Sequence, residues 1–339
     1  MIFPKFIKEK DTIGVTAPSY GITGEPDIKR FNNAVKNLEE KNYKVLMTDN
    51  VFTVDEIGLS SDKETRAAQF NELIKNKDVS AVISAAGGNF LMEMLPYVDF
   101  EAIKENPTWV QGYSDNTGIL YAITTTCDVA TIYGCNFGDF GMGEWELPVT
   151  RAFEILEGKE KVQTSFDYYE NEWHEKETGL EGYSKDKPVC WMNGRKEKNI
   201  MASGRLLGGC FDIITMALQG TKYDGTLKFI EKYKDDGILW YLESFDINIE
   251  EIVLHLWKLK EAGYFKYASG FIFGRPLFAN GDINLTYEQA VMRVLEDLNV
   301  PVIFNADIGH KGPQFSMVNG AKATVECEGG KGKITMSFE

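Results

Sequence analysis

Apolar residues in the first half of the chain follow two alternating spacings. Ile13, Val15 and Ala17 alternate with smaller or polar neighbours, predicting a strand over residues 11–18. Ile28, Phe31, Ala34, Val35 and Leu38 recur at helical spacing over about 26–41. A second strand is predicted at 43–47. A helix follows over 63–75, with Ala67, Phe70, Leu73 and Ile74 on one face, and then a strand at 79–84. Further strand-type runs lie around Trp109-Val110 and at 130–133. Strands separated by helices of about 10–15 residues predict βαβ units around a parallel sheet, with functional groups beyond the carboxyl ends of the strands.

The pattern breaks near residue 160. Residues 168–187 are mostly charged or aromatic and show little periodicity, so 161–199 is expected to be a connector or a loop beside a site. Apolar patterning resumes near Ile200. Gly204 to Gly209 reads as a glycine-rich turn ahead of a helix over 211–218. Strands are predicted at 237–242, 271–273, 302–304, 323–325 and 334–336, and an amphipathic helix at 249–260. The expected organisation is one α/β unit over 1–160 and a second, β-rich α/β unit over 200–339.

The 339 residues carry a net charge of −15, which argues against nucleic acid or an anionic membrane as a partner. No apolar run is long enough to cross a membrane, and residues 1–10 lack the apolar segment of a secretory signal. Five scattered cysteines without a Cys-x-x-Cys pair suggest reduced thiols and a cytoplasmic location.

Candidate chemistry centres on Gly112-Tyr113-Ser114-Asp115-Asn116-Thr117-Gly118, between the strand at 108–111 and the apolar run at 119–123. A serine on a tight strand-to-helix turn stands clear of its backbone, with helix N–H groups behind it. The same residues also suit an ordinary helix cap. A nucleophilic serine needs a base. His174 lies in the charged connector, and His255 flanks the face set by Ile252, Leu256 and Leu259. His310 sits in the loop 305–313, after an apolar strand and flanked by Gly309 and Gly312, and is the best base by elimination. Glu243, directly after the strand at 238–242, is one candidate to orient it; Asp246 and Asp307 compete. Gly87-Gly88-Asn89 follows the strand at 79–84 and lets a substrate carbonyl approach the backbone, making the N–H groups of Gly88 and Asp115 candidate oxyanion donors. Arg275 and Lys311 are candidate cations for a substrate carboxylate.

Together these pieces resemble the LD-carboxypeptidase family of serine peptidases, which includes the microcin C self-immunity peptidases. The resemblance runs along nearly the whole chain. It is carried by Ala17-Pro18-Ser19, the run from Ser61 to Ala67, Gly87-Gly88, Gly112 to Thr117, Gly208-Gly209, Leu242-Glu243-Ser244 and Gly309 to Pro313. It implies a Rossmann-like N-terminal domain with a mostly parallel sheet, a β-rich α/β C-terminal domain, and a homodimer. It implies a Ser114–Glu243–His310 triad acting on an amide through an acyl-enzyme, without metal or cofactor. The substrate is expected to be a small peptide, such as a murein tetrapeptide, or a peptidyl or aminoacyl nucleotide. In the immunity-like branch the aromatic connector, with Trp173, can stack on a nucleotide base.

Three features depart from that branch. Asn89-Phe90-Leu91-Met92 replaces a more polar stretch, no lysine follows Glu243 closely, and Val318-Asn319 stands where a second proline is expected. Two other readings compete. Ser114-Asp115-Asn116 and Ser184-x-x-Lys187 match boxes of penicillin-recognising enzymes, but in the wrong order and without K-T-G. A non-catalytic nucleotide- or peptide-binding protein is the alternative from another class, weakened by the absence of G-x-G-x-x-G and G-x-x-x-x-G-K-[ST]. Three dispersed histidines without H-E-x-x-H argue against a metal hydrolase.

Overall fold

The computed structural model describes residues 1–172, 174–195 and 199–339. Its α/β architecture is built on two sheets. The first has six strands in the order Met317–Asn319, Thr131–Tyr133, Trp109–Gly112, Val79–Ser84, Thr12–Thr16 and Lys44–Met47. All its pairings are parallel except that of Met317–Asn319 with Thr131–Tyr133. Its central strands are almost continuously buried, as a parallel sheet covered on both faces requires. Strand order reverses between Thr12–Thr16 and Val79–Ser84, and open α/β sheets offer a crevice at that point.

The helices match their sequence signals closely. Glu25–Glu40 begins with Pro26 in its first turn and buries Phe31, Ala34 and Leu38, whereas Ile28 remains exposed. Lys63–Lys75 is capped by Asp62, whose side chain accepts the N–H of Thr65, and buries Ala67, Phe70, Leu73 and Ile74.

The second sheet has eight strands. Asn199–Cys210, Ile238–Glu243, Ala268–Gly274 and Val302–Ala306 form its parallel centre. Antiparallel Lys322–Glu328, Lys331–Ser337 and Val162–Thr164 extend one side, and Met192–Asn193 the other.

One sequence expectation changes. Gly204 to Gly209 is not a turn but part of the twelve-residue strand Asn199–Cys210. Its glycines answer to packing, since a Cβ at Gly208 would run into the Tyr241 carbonyl and one at Gly209 would lie 2.8 Å from the Thr117 side chain. Within the connector, Tyr168–Tyr169 pairs with Lys187–Pro188. Two short strands of the 161–199 segment, Val162–Thr164 and Met192–Asn193, join the second sheet, and Met317–Asn319 pairs into the first.

Candidate active site

The carboxyl ends of the two sheets face each other. Thr117 Oγ1, in the first turn after Ser114, accepts the N–H of Cys210 at 3.0 Å, joining the end of one central strand to the helix that follows another. Ser114 occupies the first position after an extended Tyr113 and has a φ of 64°. A non-glycine residue in this left-handed region is strained by about 1–3 kcal/mol and needs surroundings that hold it there. Asn116 Nδ2 supplies some of that support, donating to the Ala86 carbonyl at 2.9 Å and the Tyr113 carbonyl at 3.0 Å. Asp115 supplies more, accepting from Ser19 Oγ at 2.6 Å and from the Leu91 N–H at 2.9 Å.

Ser114 Oγ lies 2.9 Å from His310 Nε2, and His310 Nδ1 lies 2.8 Å from Glu243 Oε2. With the proton on Nδ1, Nε2 is left to accept the serine O–H. Glu243 is completely buried as the last residue of Ile238–Glu243. Its other oxygen accepts the Tyr133 hydroxyl proton, and the Tyr133 oxygen accepts the N–H of Ser114 at 3.2 Å. Burial would raise the Glu243 pKa, but the His310 charge and the hydrogen bonds from His310 and Tyr133 outweigh it and hold the carboxyl below its usual range. Burial would lower the His310 pKa, but the charge of Glu243 and its hydrogen bond raise it above the ordinary imidazole value. The rings of Tyr113 and Phe245 flank the imidazole at centroid distances of 5.4 and 4.9 Å.

The competing acids are placed elsewhere. Asp246 is exposed, and its N–H donates to Asp212 at 2.9 Å. Asp307 is buried and accepts from Arg275 Nη2 at 2.8 Å, Trp191 Nε1 at 3.0 Å and the Phe166 N–H at 3.2 Å. Arg275, expected as a possible carboxylate anchor, is therefore a support of the His310 loop. It is buried, also donates to the carbonyls of Asn305 and Lys311, and stacks on Tyr169. Burial lowers the pKa of Lys311, the other candidate cation. His255 is half-buried, edge-on to Phe211, and His174 is exposed.

Gly87 lies directly against the serine: a Cβ there would stand 3.0 Å from Ser114 Cβ and 3.2 Å from Oγ. Gly88 has a φ of 142°, and a Cβ on it would press into Tyr20 and Ser19. Asn89 is exposed and donates to the Tyr20 hydroxyl at 2.8 Å. Trp173 lies outside the described residues. Among the described residues, no group of three His, Cys, Asp or Glu side chains could hold a metal ion.

The connector lies over this site. A cavity of about 100 Å³ is bounded by Tyr113, Gly309 and His310 on one side and by connector residues including Glu170, Lys176 and Tyr183 on the other. Sequence reasoning placed Tyr133 only on a strand and Gly309 only beside His310, without a role for either. Tyr133 carries the available signal of a polar tip at the carboxyl end of a parallel strand. Gly309 has a φ of 98°, and a Cβ there would run into the Glu243 carboxylate, so the loop can present His310 only with glycine beside it.

Two family descriptions match in chain order: the LD-carboxypeptidase N-terminal domain over residues 13–134 and the LD-carboxypeptidase C-terminal domain over 203–325. The chain belongs to the LD-carboxypeptidase family. That membership makes it a serine-type carboxypeptidase. The microcin C7 self-immunity protein MccF of Escherichia coli is 26% identical, over 97% of this chain and 94% of that protein. A Bacillus subtilis protein named "Probable murein peptide carboxypeptidase" is also 26% identical, over 95% and 91%. Among solved structures, the MccF-like protein of Bacillus anthracis superposes with a TM-score of 0.82 at 24% identity, covering 99% of both chains. MccF itself, in complex with glutamyl sulfamoyl guanosine, gives a TM-score of 0.82 at 23% identity over 98% of both chains. The fold of this family is therefore that of the present two-sheet structure.

Proposed function

We propose that Ser114, His310 and Glu243 form the triad through which this carboxypeptidase hydrolyses an amide bond. The observation that carries the reading is the unbroken hydrogen-bonded line from Ser114 Oγ through the imidazole to a buried carboxylate. Ser114 Oγ attacks the carbonyl carbon as His310 Nε2 takes the hydroxyl proton. Glu243 fixes the tautomer and stabilises the imidazolium. The N–H groups of Gly88 and Asp115 receive the oxyanion, a contribution of about 10²–10³ in rate for such donors. The imidazolium then protonates the departing amine, and water, with His310 again as base, releases the acyl group. A fluorophosphonate probe tests the assignment: a covalent adduct on Ser114 is expected, and its absence would favour the non-catalytic binding reading.

The proposed substrates are a murein-type peptide or a peptidyl or aminoacyl nucleotide. Both follow from the relatives: one is named for murein peptides, and MccF is solved with glutamyl sulfamoyl guanosine and aspartyl sulfamoyl adenosine. Parallel hydrolysis assays on a murein tetrapeptide and an aminoacyl-sulfamoyl adenylate separate them, and cleavage of the tetrapeptide alone ends the immunity reading. We also propose a two-domain division, with residues 1–160 supplying the serine, the 161–199 segment bordering the site, and 200–339 supplying the acid and base. A cytoplasmic homodimer completes the proposal. Sedimentation equilibrium measures the assembly, and the five cysteines, unpaired in the structure, suit a reducing compartment.

A further inference from the structure

Two runs that carry the family resemblance, Ala17-Pro18-Ser19 and Ser61 to Ala67, supply no group to the triad. They meet behind the serine turn. Arg66, on the helix Lys63–Lys75, is fully buried. Its Nη1 donates to the Pro18 carbonyl at 3.0 Å and to the Phe90 carbonyl at 3.2 Å, and its Nη2 pairs with Glu93 at 3.1 Å. One guanidinium therefore ties the loop after Thr12–Thr16 to the loop after Val79–Ser84, the two strands between which strand order reverses. Ser19, also fully buried, adds a second tie: its hydroxyl lies 3.0 Å from the Asn89 carbonyl and 2.6 Å from Asp115 Oδ2. Burial pushes the Asp115 carboxyl up, while the Ser19 and Leu91 hydrogen bonds and the charge of Arg66 work against it.

The 87–91 loop is held at further points. The Tyr20 N–H donates to the Gly87 carbonyl at 3.2 Å, and the Leu91 N–H donates to Asp115 at 2.9 Å. The loop needs such support, because Phe90 has a φ of 64° and Gly88 one of 142°. The Gly88 N–H itself has no acceptor among the described residues, so it stays available to a substrate oxygen. A fixed loop with an open donor beside the serine is what a preorganised oxyanion site requires. We propose that Arg66, assisted by Ser19, is the positioning residue of that site, fixing the 87–91 loop so that the Gly88 N–H meets the oxyanion. Both side chains are buried and touch no substrate, so they act only through the loop. The inference rests on the proposed triad and oxyanion donors. It also explains why a buried guanidinium is spent on two backbone carbonyls: its desolvation is costly, and the return is fixed geometry.

The test measures how fast a fluorophosphonate labels Ser114, because its phosphoryl oxygen must enter the same oxyanion site and no peptide substrate is needed. Arg66→Met should lower the second-order labelling constant by about 10²-fold, the range for losing one oxyanion donor. Arg66→Lys keeps a buried cation with hydrogen-bond donors and should recover part of that loss. Ser19→Ala should lower the constant by about tenfold, the worth of one good hydrogen bond. In all three the acid limb of labelling against pH should stay where the parent has it, because His310 and Glu243 are untouched. The fraction of chains finally labelled reads folded enzyme, and it should stay complete in every variant that folds. The parent rate constant in Arg66→Met or in Ser19→Ala overturns the proposal. So does a loss seen only as a smaller labelled fraction, which marks a purely structural role. Ser19→Ala decides alone if Arg66→Met does not fold. An unlabelled parent enzyme removes the triad reading and this proposal with it, whereas a labelled parent with unchanged variants overturns this proposal alone.

Discussion

Tyr133 hydrogen-bonds Glu243 from a strand of the opposite sheet, and its oxygen also receives the N–H of Ser114. One phenol thus spans the acid and the turn that carries the serine. Tyr133→Phe removes a donor from a buried carboxylate oxygen, a loss of about 1–3 kcal/mol in stability. We expect a lower midpoint in urea unfolding and a kcat reduced by about tenfold, with KM nearly unchanged. An unaltered kcat would make the contact purely structural.

The His310–Glu243 contact fixes the pH dependence. His310 serves as base only when neutral, and its pKa lies above the ordinary 6.5 because the charge and hydrogen bond of Glu243 overcome the effect of burial. Activity should therefore fall as pH drops, with the acid limb of kcat/KM centred above 6.5. Glu243→Gln removes the charge, so the limb should move to lower pH while the plateau falls steeply. A limb that stays in place would dissociate Glu243 from the base.

Ser114→Ala should lower kcat by about 10⁴–10⁶. Ser114→Gly should be equally inactive yet more stable than the alanine variant by about 0.5–1 kcal/mol, because glycine adopts the φ of 64° without strain. Thermal denaturation of the two inactive proteins makes the comparison. Equal stability would show that the turn stores no strain at this residue.

Gly87→Ala places a methyl group within 3.0 Å of Ser114 Cβ and 3.2 Å of its hydroxyl. We expect a kcat loss of about 10²-fold, in the range for losing one oxyanion donor, as the substrate carbonyl is displaced. The melting temperature should change little. A large drop in melting temperature with kcat retained would assign Gly87 to folding instead.

Arg275→Met leaves the buried Asp307 carboxylate without its cation, which costs about 3–5 kcal/mol for a broken buried pair. Equilibrium unfolding should show that loss. KM in the folded fraction should change little, and a large rise in KM would return Arg275 to substrate binding.

Much of this geometry was legible in the sequence because strand ends announce themselves. Ser114, Glu243 and His310 each follow or close a β-type apolar run, and parallel sheets gather such positions along one edge. The choice of Glu243 over Asp307 was not legible from local spacing alone. It depends on Arg275, more than thirty residues away in sequence, occupying Asp307. The glycines of 204–209 misled because a close backbone approach and a turn call for the same residue.

The short strand Met317–Asn319 has a consequence for the molecule as a whole. After building most of the second sheet, the chain crosses back to complete the first and then returns. A polypeptide severed between the halves would leave one fragment with an unsatisfied edge and the other with a displaced ribbon. Neither piece would be a finished unit. The hydroxyl and the imidazole are thus kept in register by a stitch through the chain, and hinge-like separation of the halves would require pulling that stitch out.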